Sequence, residues 1–184
     1  DLCVLESWHG YLGAFAYPRA QVGYMGAQTP GKGGLLRVFP PELVPGAKFF
    51  GLGDIPYTRY SEAESSYLEL WGGWSTSFWE YRELKSGQSL QWEEYWYPLP
   101  DMPAVLAANQ AAAVAIDSDG IAVVSTGSLP AEVEAFDAQG RSIRTWGADL
   151  APGHVWRPPE SPQSIGRLEI RDRESKEPLL TWPG

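Results

Sequence analysis

The chain has 184 residues, enough for one domain of ordinary size or two small ones, and its 43% hydrophobic and 20% charged residues suit a globular protein rather than a disordered one. Asp+Glu total 23 against 14 Lys+Arg, a formal charge of -9, which argues against binding to nucleic-acid phosphates or to an anionic membrane surface. The single cysteine, Cys3, excludes an internal disulfide, no Cys/His cluster offers a zinc site, and no apolar run is long enough to span a bilayer.

The chain opens on Asp1 with no basic-then-apolar leader, so it is read as processed or as a piece of a longer protein. The compartment is left open, with an extracytoplasmic location favoured. Residues 12–17 and 20–24 carry β-formers, and 27–34 read as a loop. Residues 35–39 alternate apolar and polar until Pro40-Pro41 stops the run. Pro45-Gly46 signals a turn before 48–51. The strongest strands are 66–71, 77–84 and 89–97, the last two joined by a hairpin turn at Lys85-Ser86-Gly87-Gln88.

Composition shifts at Pro100-Asp101-Met102-Pro103. Ten aromatics crowd residues 67–97, but 104–184 hold only Phe136, Trp146, Trp156 and Trp182. We divide the chain there, into 1–103 and 104–184. Strands are predicted at 111–116, 121–125, 132–136, 141–146, 165–171 and 179–182, with Gly-terminated turns at 117–120 and 137–140. Alanine-rich 104–115 favours helix on propensity, but the turn and β-run that follow decide for strand at 111–116. Short strands at this spacing predict an all-β chain ending in a small immunoglobulin-like β-sandwich.

Strand side chains alternate between faces. In residues 67–71 the core takes Leu68 and Leu70, and the other face presents Tyr67, Glu69 and Trp71. In residues 90–97, Leu90, Trp92, Glu94 and Trp96 share a face. An acid among large rings is the pattern of a carbohydrate site: rings stack on sugar C–H groups and the carboxylate accepts hydroxyls. Partial desolvation also suits such an acid to general base or acid work. Plain cross-strand packing explains Trp71, Trp74, Trp79, Trp92 and Trp96 as well, and Glu69 reads equally as a satisfied structural carboxylate.

Other motifs are absent or explained locally. Gly31-Lys32-Gly33-Gly34 lacks the Ser/Thr and spacing of a phosphate loop and reads as a flexible loop. Asp117-Ser118-Asp119-Gly120 resembles the start of a calcium loop without its later acid, and a hairpin turn accounts for it. His9 reads as a surface or loop histidine and His154 as a loop residue with no role. No metal and no cofactor are expected.

Four segments carry a family resemblance: Tyr67-Leu68-Glu69-Leu70-Trp71-Gly72-Gly73, Thr76-Ser77-Phe78-Trp79, Leu84-Lys85-Ser86-Gly87-Gln88, and Trp92-Glu93-Glu94-Tyr95-Trp96-Tyr97-Pro98. Together they resemble the closing strands of the galactose-mutarotase-like β-supersandwich, nearest to uncharacterised bacterial domains of that superfamily. Pro45-Gly46-Ala47-Lys48-Phe49-Phe50-Gly51 fits the same pattern. The resemblance covers residues 9–103 and the tail in outline. It implies a partial supersandwich followed by a small sandwich, with a carbohydrate ligand.

The resemblance also places Glu69 at the general-base position of aldose epimerases; the aromatic faces, taken with the resemblance, suggest Tyr67, Trp71, Trp74, Trp79, Glu94 and Trp96 as the sugar-binding residues. Trp71 stands where those enzymes have glutamine, and Trp74-Ser75-Thr76 where they have Pro-Asp. Their acid histidine lies far upstream, and His9 sits too near Glu69 to match it. The expectation is therefore a carbohydrate-recognition protein without complete catalytic machinery. A structural or interaction module ranks second. A sugar epimerase or other carbohydrate-active enzyme with Glu69 as base ranks third. A missing N-terminal half or self-association is expected to cover the sheet edges.

Overall fold

The computed structural model describes residues 4–56 and 67–183. Strand makes up 45% of the described residues and helix is nearly absent among them, so the fold is all-β, built of small antiparallel sheets. A single 3-10 turn, Leu5–Ser7, precedes the strands. These are β1 Leu12–Phe15, β2 Tyr24–Thr29, β3 Gly33–Val38, β4 Gly46–Gly51, β5 Leu68–Gly73, β6 Tyr95–Leu99, β7 Ala107–Ala108, β8 Ala112–Asp117, β9 Gly120–Ser125, β10 Leu129–Phe136, β11 Ser142–Leu150, β12 Arg167–Asp172 and β13 Pro178–Trp182. Asp1, Cys3 and Ser66, the first residue of the strand expected at 66–71, lie outside the described residues.

The chain packs as two compact units, Asp1–Met25 with Phe39–Glu94, and Gly26–Val38 with Tyr95–Gly184. The first holds the sheet β1-β4-β5. Its core is Ala20, Met25, Phe39, Val44 and Ala47, against which Ala16, Phe49 and Leu70 pack. These sheet residues alternate with outward ones, as period 2 requires.

The second unit holds β3 paired with β6, the sheet β7-β8-β9, and the sheet β11-β10-β12-β13. The last two sheets close over one core, a β-sandwich, that includes Val114, Ile121, Val123, Val133, Trp146, Leu150, Leu168 and Ile170. Ala112, Ala113, Val114 and Ala115 are all at most 1% exposed, so both faces of β8 are covered. That two-sided burial overrides the helix propensity of the alanines.

Three expectations in the first hundred residues are corrected: the strand at 20–24, the loop at 27–34 and the aromatic hairpin. Residues 20–24 are not a strand; β2 starts at Tyr24 and runs through Thr29, and only residues 30–32 turn before β3. The glycines there serve close packing rather than flexibility. A Cβ on Gly34 would lie 1.9 Å from the Ala27 carbonyl oxygen, and one on Gly33 would lie 2.2 Å from that of Leu99.

The aromatic hairpin is also absent. Residues 77–84 form no strand, and 89–94 stay irregular until β6 begins at Tyr95. The turn itself forms, with the Gln88 N–H donating to the Lys85 carbonyl at 3.0 Å. Its flanks make no ladder, because β-propensity needs a paired strand and a half-buried face to act on. Tyr81, 92% exposed, has neither.

Candidate binding face

Register places two rows on one face of the sheet β1-β4-β5. Gly13, Phe50 and Glu69 form one row, and Phe15, Lys48 and Trp71 form the next. Leu68 and Leu70 alternate with Glu69 and Trp71, and Leu70 packs on the core, as the alternation predicts. Lys48 stands in the middle of its row and is only 9% exposed. Its Nζ lies 4.6 Å from the Phe78 ring centroid and 5.8 Å from that of Trp71, a cation held over two aromatic rings.

The segment after β5 adds rings to this face. Phe78 meets Trp71 edge-on at 5.0 Å between centroids and Phe15 at 5.3 Å. Trp79 lies 5.2 Å from Phe15. Tyr11 lies 6.1 Å from Phe50 in the other row. The segment comes this close because Gly46 has no side chain: a Cβ there would lie 2.1 Å from the Ser75 carbonyl oxygen. Phe78 is 53% exposed and Trp79 66%, so the rings form an open apolar surface rather than a core.

Glu69 is the carboxylate of this face. Its Oε1 accepts a hydrogen bond from the Tyr67 hydroxyl at 2.5 Å. Its Oε2 is buried and has no hydrogen-bond partner among the described residues. A buried acceptor left without a donor costs about 1–3 kcal/mol, more when charged.

Tyr67, Glu69, Trp71 and Trp79 are thus gathered on one sheet face. Trp74 is half-buried, its ring 5.6 Å from the Arg82 guanidinium carbon. Glu94 accepts from the Trp92 indole N–H at 2.9 Å, as neighbours on one side of an extended segment do. Trp96 belongs to the second unit, where the guanidinium carbon of buried Arg37 lies 5.8 Å from its ring. Glu69 and Trp96 therefore fall in different units.

Sequence reasoning missed Tyr11, Phe15, Lys48 and Phe50 as members of the face. Alternation within 48–51 puts Lys48 and Phe50 on one side, but only the antiparallel register brings that side beside Glu69. His9 is exposed, its Nδ1 3.3 Å from Asp54 Oδ2. The Gly10 N–H and His9 hold the Asp54 carboxyl below its usual range. His154 is an exposed loop residue. Residues 117–120 form a hairpin turn in which Asp117 Oδ1 accepts the Asp119 N–H at 2.9 Å. Among the described residues no group of three or more His, Cys, Asp or Glu could hold a metal ion, and no helix is long and apolar enough to cross a membrane.

No protein-family model, no curated protein and no solved structure matches the chain. The likeness to the galactose-mutarotase-like superfamily rests on the motifs alone.

Proposed function

We propose that the chain recognises carbohydrate on the outer face of β1-β4-β5, with Glu69 accepting sugar hydroxyls and Trp71, Phe78 and Trp79 stacking on C–H faces. The exposed rings of Trp71, Phe78 and Trp79 on the face that carries the Glu69 carboxylate are the observation that carries this reading. Kinship with the galactose-mutarotase-like superfamily, an immunoglobulin type for the C-terminal sandwich and an extracytoplasmic location belong to the same proposal, supported by the sequence motifs. Tryptophan fluorescence titrated with a panel of hexoses and oligosaccharides tests it, with Trp71→Phe and Trp79→Phe assigning the signal. Saturable quenching that these variants diminish is expected. No response up to high millimolar ligand across the panel overturns it.

A second reading takes the same rings as a protein contact surface. The exposure of Trp71, Phe78 and Trp79 together favours it, because aromatics are enriched at interfaces. Sedimentation across a wide concentration range separates the two. Self-association that Trp79→Ala abolishes, without any sugar response, supports the contact surface.

A further inference from the structure

A cleft of about 400 Å³ opens at one end of the C-terminal sandwich, within the second unit and lined by no residue of the face described above. The turn 117–120 forms one wall, and Ser161, Pro162 and Gln163 form another. Ile116, Ile165 and Trp182 pack half-buried on the sandwich core and turn their remaining surface to the cleft. The volume falls within the range of small-molecule sites, about 300–1,000 Å³.

The walls are fixed to each other. Ser161 Oγ accepts the Ile121 N–H at 3.1 Å. A Cβ on Gly120 would lie 2.1 Å from that oxygen, so the two segments meet only because residue 120 is glycine. The cleft is therefore preformed.

Its electrostatics select a ligand class. Two carboxylates line it, and no Lys or Arg does. Asp117 is ion-paired with Arg157, at 3.3 Å from Nη1 to Oδ1. Asp119 makes no ion pair among the described residues, and its side chain is exposed at the rim. One negative charge without an ion-pair partner among the described residues thus stands at a cleft lined in part by Ile116, Ile165 and Trp182. We propose that this cleft binds a small organic ammonium ion with an apolar body, its charge on Asp119 and its alkyl part against Ile116, Ile165 and Trp182. The indole adds attraction for a cation over its face.

The full chain, labelled for NMR, is titrated with n-butylammonium, n-butanol and glucose. The signals followed are the Trp182 indole N–H and the Gly120 and Gln163 amides. Saturable shifts are expected with butylammonium, weaker binding of butanol, and weakening of butylammonium at raised salt. Asp119→Asn, a change at an exposed turn residue, is expected to weaken butylammonium about fivefold, the scale of an exposed ion pair. Trp71→Phe leaves the cleft titration unchanged, so it fails or succeeds independently of the sugar-binding face. Equal binding of butanol and butylammonium overturns the proposal. So do binding untouched by Asp119→Asn, saturation by glucose alone, and the absence of any saturable shift.

Discussion

Glu69→Gln is expected to move stability and binding in opposite directions. Oε2 of Glu69 is buried with no donor among the described residues, and only Oε1 is served, by Tyr67. Glutamine keeps an acceptor for the Tyr67 hydroxyl and replaces the charged orphan with a neutral amide, which is less costly to desolvate. The gain in fold stability is about 1 kcal/mol. Sugar binding loses a hydrogen bond to a charged acceptor, about 1.5–3 kcal/mol, or about tenfold to a hundredfold in Kd. Urea unfolding at unchanged slope measures the first quantity, and calorimetric or fluorescence titration measures the second. Tyr67→Phe is the control: it leaves both oxygens bare and is expected to destabilise by about 1–2 kcal/mol. If Glu69→Gln lowers stability and leaves binding unchanged, the carboxylate is a structural group and the recognition reading fails.

Gly46→Ala would set a Cβ 2.1 Å from the Ser75 carbonyl oxygen and 2.9 Å from that of Gly73. It should cost about 2 kcal/mol and shift the emission of the Trp71–Trp79 cluster; a silent substitution would mean that residues 73–79 do not lie against β4. Tyr97 donates its hydroxyl to the Asn109 carbonyl at 3.0 Å, and burial raises its pKa above the ordinary phenol value. Its contribution is full below the unfolded phenol pKa and is lost as pH rises through the folded one, so Tyr97→Phe should cost about 1 kcal/mol at neutral pH and blunt alkaline unfolding. Asp117, Asp137 and Asp172 are held below the usual carboxylate range, first by the Arg157 side chain, the Arg141 N–H and the Ser175 N–H respectively. Their support is present above the unfolded carboxylate pKa and lost as pH falls through the depressed one. Thermal midpoints of wild type and Asp137→Asn should therefore differ at neutral pH and converge in acid; a constant gap would show that the charge is irrelevant.

Alternation in the sequence assigns Leu70 to the core and Glu69 and Trp71 to the opposite face, and the structure agrees. Two of the C-terminal hairpins, β8–β9 and β10–β11, were legible because Asp-x-x-Gly turns join their strands, with Asp117 and Asp137 each accepting N–H groups of their own turn. What failed was the assumption that aromatic alternation needs no partner. Residues 77–84 and 89–94 have the composition of strands, but no neighbour supplies their ladder, and Phe78 and Trp79 lie instead against β1 and β5 residues. The loop expected at 27–34 failed for the opposite reason. Its glycines permit close strand contact, which composition does not distinguish from flexibility. Lys48 and Phe50 stayed invisible because cross-strand register is a long-range property.

The route of the chain bears on how the protein is made. Gly26–Val38 belongs to the same unit as Tyr95 onward, and Phe39–Glu94 returns to the unit that began at the amino terminus. β3 therefore has to wait for β6, translated more than fifty residues later, before its ladder can close. Neither unit is finished when the ribosome reaches residue 90. The first unit is complete in sequence once Glu94 is made, but the second must hold its early strand β3 unpaired with β6 through that interval. Slow elongation across 39–94 would lengthen that exposure, and cutting the chain at any single bond between 39 and 94 would separate partners of one unit.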